Sequence, residues 1–441
     1  MNAENAQSTW VSPHRMLFRS LRHRNYQLFF FGQGVSLVGT WMQRVALGWL
    51  VYRVTNSALL LGLVSFSNQL PTFLIAPFAG VLADRMDRRR LLIATQALAM
   101  VQAFVLAALT LLGQITIWHI IVLGAVLGVV NGLDMPIRQS FVVDMVERRE
   151  DLPNAIALNS FLVNGAGLVG PSFAGIIVYY LGEGMCFLIN AISFAAVLAA
   201  LVAMRVQPSA RAAADKHILI HLKEGLTYAL GSPPIRAILV SLTLVSLVGL
   251  PYRVLMPIFA RDILGGGSRT YGFLLAATGV GALGGAVFLA SRQSVRGFHR
   301  LSPLATTLFG LTLVAFAFSR NLGLSLTFLL VGGFGRMVQL ASSNTLLQTI
   351  VEDDKRGRVM SLYTISVPGM APFGSLLAGG LANWLGAPWT VFLGGLGCLG
   401  AAGLFARSAP LLKRLLEPSA AVAGEAPGPL PAAGNGCATP L

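Results

Sequence analysis

The sequence predicts an all-α polytopic membrane protein, with twelve transmembrane helices arranged as two pseudo-symmetric six-helix bundles. Three observations carry that reading. Of the 441 residues, 55% are hydrophobic and 11% charged, less than half of the roughly 25% charge that keeps a soluble surface hydrated. The apolar residues come in long blocks, and a helix of about 20 residues spans the hydrocarbon layer. Those blocks lie near 26–50, 58–82, 91–112, 117–137, 155–180, 185–204, 236–260, 271–291, 302–318, 323–348, 359–382 and 388–407. Third, letters recur between the halves. Val35-Ser-Leu-Val-Gly39 returns at Val245 to Gly249, an offset of 210, and Gly62 matches Gly272 at the same offset. Pro171 matches Pro372 at 201 and Gly182 matches Gly386 at 204.

Charge fixes the expected orientation. The formal net charge is +15, which in a soluble protein would suggest nucleic acid. Placing the N-terminus in the cytoplasm puts 25 Lys and Arg in inner segments and 4 in outer loops, with Arg44, Arg253 and Arg336 inside spans. Such a bias in short loops is the positive-inside rule. Both termini are therefore expected in the cytoplasm of a bacterial inner membrane. The partners expected are lipid and small solutes, not nucleic acid.

The chain divides into a cytoplasmic segment 1–25, a first bundle 26–204, a loop 205–235, a second bundle 236–407 and a tail 408–441. The loop holds an amphipathic helix over 216–230, with Ile218, Leu222, Leu226 and Ala229 at helical spacing, suited to lie on the inner leaflet. The tail is rich in Ala, Pro and Gly from Glu417 onward, a composition that favours disorder. The first apolar block follows 25 residues with four arginines and is too long for a cleavable signal, so it reads as the first span.

Several chemistries have no residues to carry them. Cys186, Cys398 and Cys437 make no disulfide or metal framework. The six histidines include none paired with Glu at zinc spacing, and no phosphate-binding Gly-x-x-x-x-Gly-Lys-Ser/Thr loop occurs. Neither an enzyme nor a cofactor is expected.

Two motifs point to a family. Gly80-Val-Leu-Ala-Asp84-Arg85-Met-Asp87-Arg88-Arg89 sits where span 2 turns into span 3. By itself it is a capped turn with topological arginines. It also resembles the Gly-x-x-x-Asp-Arg-x-Gly-Arg-Arg loop of the major facilitator superfamily, with Asp87 where that family usually has Gly. Gly170-Pro171 through Gly175 in span 5 gives a smooth face for close helix packing and a bend at the proline. It is similar to the Gly-Pro-x-x-Gly-Gly antiporter motif of drug:proton exporters, with Ala174 replacing one Gly. Asp151 to Ser160, Arg356 to Tyr363 and Phe18 to Tyr26 look like hallmark segments of a branch that includes enterobactin exporters and macrolide efflux proteins. The superfamily's arginine signature on span 4 is missing; Asn131, Asp134 and Arg138 stand there.

Polar residues recur at three- and four-residue spacing within the spans, which puts each set on one helix face. They are Gln33, Ser36, Thr40, Gln43 and Arg44 on span 1, Asn68 and Thr72 on span 2, Asn131 and Asp134 on span 4, and Arg336, Gln339 and Ser343 on span 10. Span 7 adds Arg253. A charge in mid-membrane costs about 2.5–3.5 kcal/mol on insertion scales, so these faces must turn to protein or water. Each could be interhelical glue. Together they suggest a wet path, and the resemblance implies that spans 1, 4, 7 and 10 line it.

The expected transport cavity is thus Gln33, Thr40, Arg44, Asn68, Asn131, Asp134, Arg253, Arg336 and Gln339, net cationic and suited to anionic or hydrogen-bond-accepting amphipathic solutes. Asp134 is the one candidate proton carrier, although a neighbouring Arg138 or Arg336 would favour its ionised form and argue against that role. A cytoplasmic gate is expected from Gly80, Asp84, Arg85 and Arg88 meeting Arg356 and Arg358. The resulting expectation is a monomeric, proton-coupled exporter working by alternating access, with a nutrient or organic-anion importer as the alternative.

Overall fold

The computed structural model describes residues 19–205, 218–292, 294–295 and 297–416. Segments 1–18 and 417–441, which include most of the expected tail, lie outside the described residues, as do the side chains at 80, 81, 84, 218–223 and 414–416. Every element among the described residues is a helix. In chain order the spans are α1 (Arg24–Thr55), α2 (Ala58–Arg85), α3 (Arg88–Leu111), α4 (Ile117–Met145), α5 (Leu152–Leu181) and α6 (Glu183–Ala203). The second half repeats them as α7 (Pro233–Ile263), α8 (Ser268–Ala290), α9 (Phe298–Ala317), α10 (Leu322–Ile350), α11 (Arg356–Leu385) and α12 (Ala387–Leu416). A connecting helix, Ile218–Gly231, precedes α7.

Eleven of these helices are long and apolar enough to cross a membrane. The twelfth is α1, whose 32 residues reach about 48 Å at 1.5 Å per residue. Its hydropathy is diluted by the polar face that runs from Gln33 to Arg44. The fold is therefore all-α and polytopic, with twelve transmembrane helices in two six-helix bundles.

Local chemistry sets the turns. Asp87 caps α3, its Oδ1 accepting from the amides of Arg89 and Arg90 at 2.9 and 3.2 Å. An aspartate thus serves a two-residue turn where the resembled motif has glycine. Gly182 and Gly386 are one-residue turns after α5 and α11, with φ of 82° and 85°. Both values lie in the region where a side chain is strained, which explains why these two positions recur across the halves. Exposed Trp118, Trp384, Trp389, Tyr179 and Tyr180 gather at the end away from the termini, as an interfacial aromatic belt does.

Packing repeats by six. The pairs α1–α6, α2–α4, α3–α4, α3–α6 and α1–α5 recur as α7–α12, α8–α10, α9–α10, α9–α12 and α7–α11. The two halves meet through α2 on α11 and α5 on α8. The sequence repeat is visible in the contacts. Gly39 lies against Asn190 and Ser193 of α6, and Gly249 lies against Cys398 of α12. A Cβ on Gly62 would stand 2.9 Å from the Gly379 Cα, and one on Gly272 would stand 3.0 Å from the Gly175 Cα. Two glycine crossings, related by the pseudo-symmetry, thus join the bundles.

Within the second bundle, a Cβ on Gly281 would fall onto the Leu330 carbonyl oxygen of α10, whereas one on Gly284 would meet Phe334 at an ordinary 3.8 Å. Gly281→Ala is expected to cost about 1–3 kcal/mol by overpacking and to lower the melting temperature in detergent. Gly284→Ala should melt within a degree or two of the parent. Equal melting of the two variants would contradict this packing.

Candidate functional site

The two bundles touch along one end and part towards the other. Contacts of α2 with α11 run from Ala58 and Gly62 on Gly379, through Phe66 on Phe373 and Gln69 on Ser375 (3.2 Å), to Phe73 on Gly369. Beyond Phe73 the helices diverge, and Leu74 and Phe78 are exposed. On the other side Ser268 and Gly272 of α8 lie against Gly175, and Gly279 lies against Leu168. Towards the termini Ile156 and Phe161 of α5 are exposed. The opening segment of α11, Arg356–Thr364, makes its substantial contacts within its own half, chiefly with the connecting helix.

The closed end carries a polar clasp between α1 and α7. The Tyr52 hydroxyl donates to Asp262, and Arg261 donates to the Asn56 side-chain Oδ1 at 2.8 Å. Above the gap Trp49 stacks on Tyr271 with ring centroids 6.1 Å apart.

The intramembrane arginines converge between the bundles. The Arg44 guanidinium lies 5.0 Å from the Trp41 ring centroid, and that of Arg253, from the opposite bundle, lies 5.9 Å from the same centroid. The charges in electrostatic reach of Arg44 are Arg253 and Arg138. Around Arg336 are Arg253, Tyr252, Tyr363 and Cys398. Arg253 therefore interacts electrostatically with both Arg44 and Arg336. Arg44 is exposed, and Arg253 and Arg336 are partly so. Groups on α1, α7 and α10 that lie near one another yet are open to water face a shared gap, not acyl chains.

The geometry of α7 aims Arg253. Val245–Gly249 is a π-helical segment followed by a 3₁₀ stretch, Leu250–Leu255, with Pro251 at its start. A second π segment, Ile365–Gly369, breaks α11 at Pro368. Inserted turns of this kind re-aim the side chains beyond them.

The remaining polar residues singled out within the spans divide. Gln43 accepts from Asn190 at 2.7 Å and donates to Gln102 at 3.1 Å, so it ties α1 to α3 and α6. Asn68 donates to the Gly124 carbonyl at 3.1 Å, tying α2 to α4. Asp134 is buried towards α3, accepting from Thr95 at 3.0 Å and Gln96 at 2.6 Å, with Arg138 at 3.6 Å. Gln33 is buried, Asn131 is half-buried, and Thr40 donates to the Ser36 carbonyl. Gln339 accepts from Arg336 at 3.0 Å, while its own Nε2 and the Arg336 Nε are buried without a partner. Trp41 was not singled out from the sequence. Its position three residues before Arg44, on the same helix face, is the signal that could have found it.

The expected gate residues lie at the open end. Arg88 pairs with Asp144 at 3.1 Å, Arg356 with Asp353 at 2.5 Å, and Arg358 with Glu224 of the connecting helix at 3.3 Å. Arg85 is exposed and Gly80 lies within α2. The Asp84 side chain is outside the described residues. In the span 5 motif, Gly170 receives Trp41, the Pro171 carbonyl faces Gly272, and Gly175 makes the crossing already described.

Two pseudo-symmetric six-helix bundles enclosing a cationic, one-sided gap define a membrane carrier of the alternating-access type. The chain belongs to the major facilitator superfamily: a family model described as "Transmembrane secretion effector" matches residues 16–423. It is 25% identical over 350 residues to the Staphyloferrin A transporter of Staphylococcus aureus, covering 79% of this chain and 87% of that protein. To the multidrug efflux pump Tap of Mycolicibacterium fortuitum it is 25% identical over 369 residues, covering 81% and 89%. The fold is shared with a peptide transporter solved in complex with alafosfalin, at TM-score 0.71 and 14% identity, covering 89% of this chain and 95% of that one.

The clasp at the closed end gives a direct test of the geometry. Tyr52→Phe combined with Asn56→Ala should let that end part. Spin labels at Ser57 and Gly266 should then show a longer or broader distance distribution; an unchanged distribution would show that the clasp does not hold the end shut.

Proposed function

We propose that this chain is a secondary active exporter that moves a small amphipathic or anionic molecule, of the siderophore or drug kind, across a bacterial inner membrane by alternating access. The observation that carries this reading is the convergence of Arg44, Arg253 and Arg336, from both bundles, on a gap closed at one end only. With both termini in the cytoplasm, as the arginine bias favours, the arrangement is inward-facing. The glycine crossings at Gly62 and Gly272 then form the bearing about which the bundles rock. The efflux pump among the relatives supports export over import.

The gate follows from the same motion. When the cytoplasmic side closes, the end of α2 approaches the start of α11. Arg358 would exchange Glu224 for Asp84, with Gly80 allowing the helices to approach and Arg85, Arg88 and Arg356 flanking the contact. One chain supplies both bundles, so a monomer suffices.

Cells with and without the gene should differ in secreted metabolites or in toxicant sensitivity at matched growth. Arg44→Gln and Arg336→Gln should each lower that difference at least tenfold at unchanged membrane levels. Indistinguishable strains across both measurements would sink the exporter reading.

A further inference from the structure

Among the described residues, the membrane interior holds three cations without a carboxylate partner and no unpaired carboxylate. The sequence has 17 acidic residues; those within spans sit near the helix ends, as Asp84, Asp144, Glu183 and Asp262 do, except Asp134. Asp134 is buried against α3, held by Thr95 and Gln96, and balanced by Arg138. Glu183 is paired with Arg53 at 2.7 Å. Among the described residues, none of Arg44, Arg253 and Arg336 has a carboxylate partner. The other ionisable groups around them are Tyr252, Tyr363 and Cys398 near Arg336, Tyr271 near Arg253, and the paired Arg138 near Arg44.

Resting on the exporter reading, we propose that Arg44, Arg253 and Arg336 form one receptor for an organic anion with two or more acidic groups, and that its export runs on the membrane potential without a carried proton. The receptor has two lobes. Arg44 and Arg253 share the Trp41 ring, which supplies a flat apolar wall beside two donors. Arg336 offers an unpartnered Nε and lies beside the unpartnered Gln339 Nε2, a donor pair suited to a carboxylate oxygen. A ligand bridging both lobes touches both bundles.

The drive follows from the charge balance. Proton antiport needs a group in the gap that takes up and releases a proton, and Asp134 is committed to α3. A polyanion leaving an inside-negative cell needs no such group: two charges crossing about 100 mV sustain a gradient of roughly three orders of magnitude.

Purified protein in liposomes, with self-quenched carboxyfluorescein inside, tests this. A lumen-negative potassium-diffusion potential should raise efflux several-fold over zero potential, and a one-unit pH gradient at zero potential should change it less than twofold. Carboxyfluorescein and 1,2,3-propanetricarboxylate should bind the detergent-solubilised protein. Arg336→Gln and Arg253→Gln should weaken that binding at least tenfold at unchanged melting temperature, and Arg336→Lys should restore part of it. Efflux driven by the pH gradient instead of the potential overturns the drive. Failure of both anions to bind, or equal binding of cationic rhodamine 6G, overturns the receptor. A gene-dependent phenotype in cells alongside either result leaves the exporter reading standing.

Discussion

Unbalanced positive charge between the bundles is the constraint on which the rest of the architecture depends. Two guanidinium carbons 5.0 and 5.9 Å from one ring centroid lie within about 11 Å of each other. At an effective dielectric of about 20 that separation costs about 1.5 kcal/mol of repulsion, and a drier environment multiplies it. Arg336 adds a third charge in electrostatic reach of Arg253. The bundles cannot close dry over these groups, so water or a ligand must reach them in every state. The Trp41 face lowers the cost locally through cation–π attraction without removing any charge. Everything apolar is arranged around that wet gap.

The halves meet through very little surface of a special kind. Glycine backbones approach at Gly62 with Gly379 and at Gly272 with Gly175, contacts that small residues make possible between membrane helices. Because the two crossings are related by the pseudo-symmetry, a tilt about one is matched by a tilt about the other. Large side chains lie to either side: Phe66 and Phe373 on one interface, Tyr271 and Trp49 above the gap. Among the described residues, the polar side-chain contacts between bundles that involve a charged group lie at the closed end, in the Tyr52–Asp262 and Asn56–Arg261 pairs. Those are the contacts that must break for that end to open.

The span count and the two-bundle plan were legible because each rests on a long-range regularity: apolar length, arginine bias, and letters repeated at a drifting offset. Gly182 and Gly386 could be matched because their backbone conformation tolerates few substitutes. The site was legible only in part. Gln43 and Arg44 are adjacent in sequence, so they point about 100° apart around the helix. One is bonded to Asn190 and Gln102, while the other faces the gap. Composition cannot tell these two faces apart, since glue and cavity lining use the same residue types. Asp134 shows the same ambiguity: its isolation suggested chemistry, yet Thr95 and Gln96 on the neighbouring helix satisfy it. The π segments of α7 and α11 left no signature beyond Pro251 and Pro368, because one extra residue per turn alters hydrogen bonding and not hydropathy.

The division of polar groups also bears on how a cationic carrier resets. In the first bundle, Gln43, Asn68 and Asp134 are bonded within the bundle, which ties its helices together for movement as a rigid body. Arg336 and Gln339, in the second bundle, keep an unpartnered Nε and Nε2. On the proposed receptor reading, an anion bound there cancels part of the charge, so the loaded carrier turns with little net charge to feel the field. The empty carrier turns back with its arginines bare. Any part of the field that they cross favours their movement toward the negative side, and each charge moved across 100 mV is worth about 2.3 kcal/mol. A site that selects its ligand by excess positive charge is thereby drawn back toward the side where that ligand is made. On that reading, recognition and return depend on the same three guanidinium groups.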